Sequence, residues 1–187
     1  KEINRIVEEI AVVQSKLCIG LKCGIEPTSK EYYALMLGGC IFGGSPFSKL
    51  FTNVREKLSL AYYASVRTER FKSTMFISSG IETDKYQAAY DEILVQFNKM
   101  KSGDITDSEV VNSKLYLTNG FNSMKDGLRT MEDYYLSQAI MDNKGEIDDL
   151  IEMTNKVTKE EIVEAFNKVE IDTVYFLKGC ASDGGDE

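Results

Sequence analysis

LGGCIFGGSPFSKLFTNVREKLSLAYY, residues 37–63, is the stretch on which the reading of this chain turns. It begins inside an apolar helical pattern and passes through Gly43-Gly44-Ser45-Pro46. A short amphipathic helix bearing Leu50, Phe51 and Val54 follows, and the segment leaves through Arg55-Glu56-Lys57 into a strand that begins near Ala61. Local chemistry gives each step an expectation. Gly43 and Gly44 can take the positive φ that closes a helix. Ser45 suits an N-cap and Pro46 the first helical position, where no N–H is needed. Arg55 and Lys57 fall at a helix C-terminus, where cations complement the dipole.

Working outward from this stretch, Leu17, Ile19, Leu21 and Cys23 alternate with Lys16, Cys18, Gly20 and Lys22. That alternation predicts a strand over 17–24 with one buried face, and it sets Cys18 and Cys23 on opposite sides. A helix is expected over 31–42. Two strand-like runs, 61–69 and 74–80, flank a polar break at 70–73 and should pair as an antiparallel hairpin. If the first of them is regular, Tyr62 and Tyr63 point to opposite faces.

A long helix follows over 84–101, with Tyr86 and Tyr90 on its apolar side and Gly103 ending it. Thr106/Glu109 and Thr158/Glu161 have capping-box spacing. Between them lie helices over 107–124, 128–141 and 146–154; after them come a helix over 159–168 and a last strand over 171–177. Ile3, Ile6, Val7 and Ile10 show a short helical spacing, so 1–13 reads as a linker or the end of a preceding domain. Residues 14–180 then form one domain, and 181–187 reads as a disordered tail. The element order gives an α+β fold, a mostly antiparallel sheet with helices packed on one face.

Composition narrows the function. The chain has 187 residues, 43% hydrophobic and 28% charged, enough for a real core. Its net charge is −8 without a basic run, which argues against nucleic acid and anionic membranes as partners. No apolar stretch has transmembrane length, and the polar first residues do not form a signal peptide. A start without Met suggests a piece of a longer chain. There is no His, which excludes Ser-His-Asp and Cys-His catalysis and any His-x-x-Glu-His zinc site within the chain. Cys18, Cys23, Cys40 and Cys180 contain no Cys-x-x-Cys pair, and read as reduced, mostly buried thiols of a cytoplasmic protein.

Other candidates have plain explanations. Gly43 to Lys49 resembles a phosphate loop, but lacks the second Gly before Lys and follows a helix instead of a strand. Asp148-Asp149, Glu160-Glu161 and Glu82/Asp84 invite metal or acid–base readings. Glu160-Glu161 and Asp84 fall in first helical turns, where the dipole favours negative charge, and the carboxylates as a group read as solvated surface.

The run GGSPFSKLFTNVREKLSLAYYAS (residues 43–65) resembles the signature of the second, non-metal-binding half of insulinase-like M16 zinc peptidases. Among these it is most similar to the small bacterial M16 proteins encoded in pairs, often with one partner lacking the zinc motif. The resemblance is dense here and thinner along the rest of the chain. It implies a peptide-facing role for Arg55 and for Tyr62, seven positions later. On the residues alone, Arg55 would simply stabilise a helix end and Tyr62 would be an edge-strand aromatic.

In the family, two homologous halves enclose a chamber. One supplies zinc and the Glu base; the other supplies substrate contacts and part of the wall. The implied function is therefore the C-terminal half of a zinc-dependent peptidase. Such a half positions peptide substrate, has no catalytic residue and no metal of its own, and is partnered by an N-terminal half of the same protein or a homologous subunit that carries the zinc. The alternative is a non-proteolytic partner subunit that assembles with an active M16 paralogue.

Overall fold

The computed structural model describes residues 2–180; the expected tail at 181–187 lies outside them. A five-stranded sheet in the order β1-β5-β2-β4-β3 carries the fold. Its strands are β1 (Asn4–Ile10), β2 (Ser15–Lys22), β3 (Ala61–Glu69), β4 (Thr74–Ile81) and β5 (Glu170–Gly179). β2 pairs antiparallel with β5 on one side and with β4 on the other, β4 pairs antiparallel with β3, and only β1 runs parallel, along β5.

The alternation in β2 translates directly into burial: Leu17, Ile19 and Leu21 lie in the core while Lys16 and Lys22 are exposed. Helices α1 (Glu31–Gly39), α2 (Tyr86–Ser102), α3 (Asp107–Met124), α4 (Leu128–Ile140), α5 (Ile147–Lys156) and α6 (Lys159–Lys168) complete the domain. Phe42, Phe97 from α2 and Phe166 from α6 meet over the buried face, with ring centroids 5.9–6.3 Å apart. Tyr86 and Tyr90 also pack inward, Tyr86 lying 4.2 Å from the Phe176 ring.

Both expected capping boxes form, and Glu146 with Asp149 makes a third. Gly103 ends α2 with φ 78°.

Several local expectations are corrected. The helical spacing in 1–13 folds as strand β1, held by the parallel ladder to β5. Gly43 and Gly44 do not adopt positive φ. They continue α1 through wide i→i+5 turns over Cys40–Gly44. Gly43 is there for proximity, because a Cβ on it would lie 2.4 Å from Val66 Cγ2. Ser45 is extended and caps nothing, its hydroxyl being buried without a partner. The next helix starts later, and its hydroxyl cap is Ser48, whose Oγ accepts from Phe51 N at 3.4 Å.

Lys49 is 7% exposed and its Nζ lies 2.8 Å from Glu109 of α3. The loop's lysine therefore ties two helices together, as punctuation requires and a phosphate loop would not.

Candidate functional site

The helix Phe51–Lys57 is wound in wide turns, with Leu58 N donating to Asn53 O and Leu60 N to Val54 O. Such turns widen the helix end, and they often accompany functional sites. Ser59 then takes φ 49°, a left-handed residue that turns the chain sharply into β3. Arg55 lies in the last turn with its guanidinium 4.6 Å from the Phe51 ring centre and 3.8 Å from Glu56. Its side chain is 42% exposed.

The first residues of β3 are irregular. Ala61 pairs with Ile81 and Tyr63 with Gly80, so Tyr62 is the extra residue of a bulge. In a regular strand Tyr62 and Tyr63 would alternate across the sheet. The bulge instead leaves both exposed, Tyr62 at 57%, between buried Ala61 and Ala64. Bulges re-aim side chains in this way at sheet edges and beside sites.

The Tyr62 hydroxyl donates to Glu82 Oε1 at 3.3 Å, the same oxygen lies 3.2 Å from Lys85 Nζ, and Lys85 donates to Ser59 O at 3.3 Å. Arg55, Tyr62, Glu82 and Lys85 line one open cavity of about 480 Å³.

Arg55 and Tyr62 are the pair implied by the resemblance; Glu82, whose sequence context reads as solvated surface, joins them here. Nothing local marks it: Ile81, the last residue of β4, faces Ala61, so in the antiparallel ladder Glu82 lies across from Leu60 and meets Tyr62 only on the diagonal, at the bulge. Lys85, three residues on, completes the set. The corner offers a guanidinium, an ammonium, a phenol and two carboxylates at a sheet end, groups suited to gripping a peptide backbone and its termini.

It does not offer a metal site. Among the described residues no three His, Cys, Asp or Glu are grouped to hold an ion, and the chain has no His. The four thiols are free and scattered: Cys23 and Cys40 are buried, Cys18 and Cys180 half-buried, and desolvation pushes Cys23 up to about 12. The donor set does not fit zinc. None of the helices among the described residues is long and apolar enough to cross a membrane.

Comparison with known proteins places the chain among relatives of one family. The profile described as "Peptidase M16 inactive domain" matches residues 2–117. The chain is 38% identical over 176 residues to the "Probable inactive metalloprotease YmfF" of Bacillus subtilis, covering 94% of this chain and 41% of that protein. It is 28% identical over 163 residues to the "Uncharacterized zinc protease YmxG" of the same organism, covering 86% and 37%. A solved structure of a conserved protein from Enterococcus faecalis superposes with TM-score 0.91 at 31% identity, over 97% of this chain and 43% of that one. The chain thus spans less than half the length of these relatives.

Proposed function

The chain belongs to the M16 peptidase family, as its inactive domain, and from that premise we propose that it is the C-terminal half of a zinc-dependent peptidase, positioning peptide substrate and forming part of the chamber wall. The observation that carries the reading is the corner itself. Arg55 and Tyr62, paired on family resemblance, share one open cavity and are both exposed. Arg55 would grip peptide carbonyls with its planar fork. Tyr62 would give up its 3.3 Å bond to Glu82 and donate to the oxygen that gathers charge at the scissile carbonyl. Zinc and its Glu base would come from an N-terminal half or a homologous subunit, in the cytoplasm, and no step of the chemistry is assigned to a metal in this chain.

The test is turnover of a zinc-bearing assembly. Tyr62→Phe should lower kcat about 10²-fold, as loss of one oxyanion donor does elsewhere, and Arg55→Ala should weaken peptide binding as well. Unchanged kinetics in both variants would return these side chains to helix-end and edge-strand roles. Metal analysis of this chain purified alone should find no stoichiometric zinc; one zinc per chain surviving dialysis against a weak chelator would contradict the assignment.

A second reading, a non-proteolytic subunit assembling with an active paralogue, is favoured by the description of the 38% identical relative as a probable inactive metalloprotease. A His-x-x-Glu-His motif in the rest of the protein selects the first reading, and its absence the second.

A further inference from the structure

On the helix-free face of the sheet, the middle of β2 carries Gly20. The β2–β5 ladder shifts register just after it, with Asp172 the extra residue on β5, but neither backbone conformation nor crowding calls for glycine there. Its φ is not positive, and a Cβ would meet only Phe76 Cε1 and Thr173 O, both at an ordinary 3.9 Å. Gly80, on the same face, is different: the Tyr63 ring covers it so closely that a Cβ would sit 2.5 Å away. What the missing side chain of Gly20 leaves is a hollow of about 430 Å³. The Phe76 ring, itself 44% exposed, and Tyr175 wall it, Cys18 and Thr173 adjoin them, and the Lys22–Asp172 pair stands at the rim. A glycine in a strand interior often marks close approach by something else.

The register fixes where the hollow lies relative to the corner described above. Gly20 is opposite Phe76, and Phe76 is opposite Arg67 of β3. Arg67 is exposed and forms no ion pair or hydrogen bond through its side chain among the described residues. Lys16, on the same face of β2, is likewise without one. From Gly20 to Tyr62 the path crosses two strand spacings and five residues along β3, roughly 19 Å. An extended peptide covers that distance in about six residues.

We propose that this hollow is a side-chain subsite for an extended peptide. It would take a bulky apolar residue, aromatic by preference, placed about six residues from the one held at Arg55 and Tyr62, with an acidic residue next to it facing Arg67. The walls supply ring faces and edges for an aromatic side chain, and the unpaired guanidinium selects the neighbouring carboxylate. The proposal rests on the peptide-facing reading of the corner and adds the substrate class that reading lacks.

The test uses the full chain and end-capped octapeptides of Ser and Thr carrying one Phe beside one Glu, with binding measured by calorimetry. The Phe–Glu peptide should bind about tenfold more tightly than its Phe→Ala counterpart. Gly20→Val should abolish that difference while leaving the melting temperature unchanged or raised, since a Cβ fits. Should Gly20→Val fail to fold, Arg67→Glu gives an independent reading: it should weaken the Phe–Glu peptide and strengthen a Phe–Lys one.

Equal binding of the Phe and Ala peptides, or no binding of either, overturns the hollow. If binding is insensitive to Phe but falls in Arg55→Ala, the hollow fails and the corner stands. If Phe matters and Gly20→Val removes its effect while Arg55→Ala and Tyr62→Phe change nothing, the hollow stands and the corner fails.

Discussion

At Gly38 and Gly43 the chain runs so close to its neighbours that a single methyl group would collide, at 2.3 Å with Phe166 and 2.4 Å with Val66. Further along the same stretch, around Arg55 and Tyr62, side chains stand half in solvent, held by ion pairs and hydrogen bonds of 3.2–3.8 Å and by an arginine lying on a ring. One end is fixed by shape and the other by sparse polar contacts. Changes at the first should therefore act on stability, and changes at the second on what the domain binds.

The largest effect that would sharpen this contrast is Phe166→Ala. Phe166 is fully buried, meets both Phe42 and Phe97, and packs on Gly38. Its removal should cost about 3–5 kcal/mol in urea unfolding. A loss well under 1 kcal/mol would mean the seam is not tightly packed.

Gly43→Ala comes next. Helix propensity favours it by up to about 1 kcal/mol, but overpacking against Val66, including its backbone N at 3.0 Å, opposes by about 1–3 kcal/mol. A net destabilisation is expected, and Val66→Ala in the same chain should recover much of it, since the two sites touch.

A third test falls on the link between the two regions. Burial raises the Glu109 pKa, but Lys49 at 2.8 Å and the Thr106 N–H outweigh it and hold the carboxyl below its usual range. A depressed folded pKa contributes stability above the unfolded value, near 4.3, and loses it as pH falls through the folded one. The wild type should therefore lose melting temperature below about pH 4.3 more steeply than Glu109→Gln, which is already weaker at neutral pH. Parallel acid profiles would show that the pair contributes nothing.

Smallest in stability, and opposite in kind, are Tyr62→Phe and Arg55→Ala. Both should leave unfolding within about 0.5 kcal/mol of wild type and be detected only through peptide. A loss comparable to Gly43→Ala would break the distinction between the two ends.

How much of this was legible in the sequence followed the range of the forces involved. The β2 strand, the β3–β4 hairpin and two capping boxes were readable because their cause lies within a few residues. β1 was not. Ile3, Ile6, Val7 and Ile10 fit a helical spacing, and a strand exposed on both faces shows no alternation; its partner β5 lies at the other end of the chain. Gly43 was singled out for the wrong reason, since its constraint is a valine on a strand made later. Arg55 and Tyr62 came from resemblance alone. The bulge that exposes Tyr62 beside Tyr63 belongs to the pairing register and to no local motif.

The placement of β5 between β1 and β2 sets a timetable. The first two strands leave the ribosome with a vacant lane between them, and the strand that fills it is made last. At roughly 5–20 residues per second, that lane stays open for on the order of ten to thirty seconds of synthesis. Once β4 is made, β2 has it on one side and bare N–H and C=O groups on the other. Lys16 and Lys22 stand along that strand, and charged lysines are what keeps an open strand from pairing with a stranger. Lys22, at the rim of the hollow in the finished domain, is thus also a guard of the growing one.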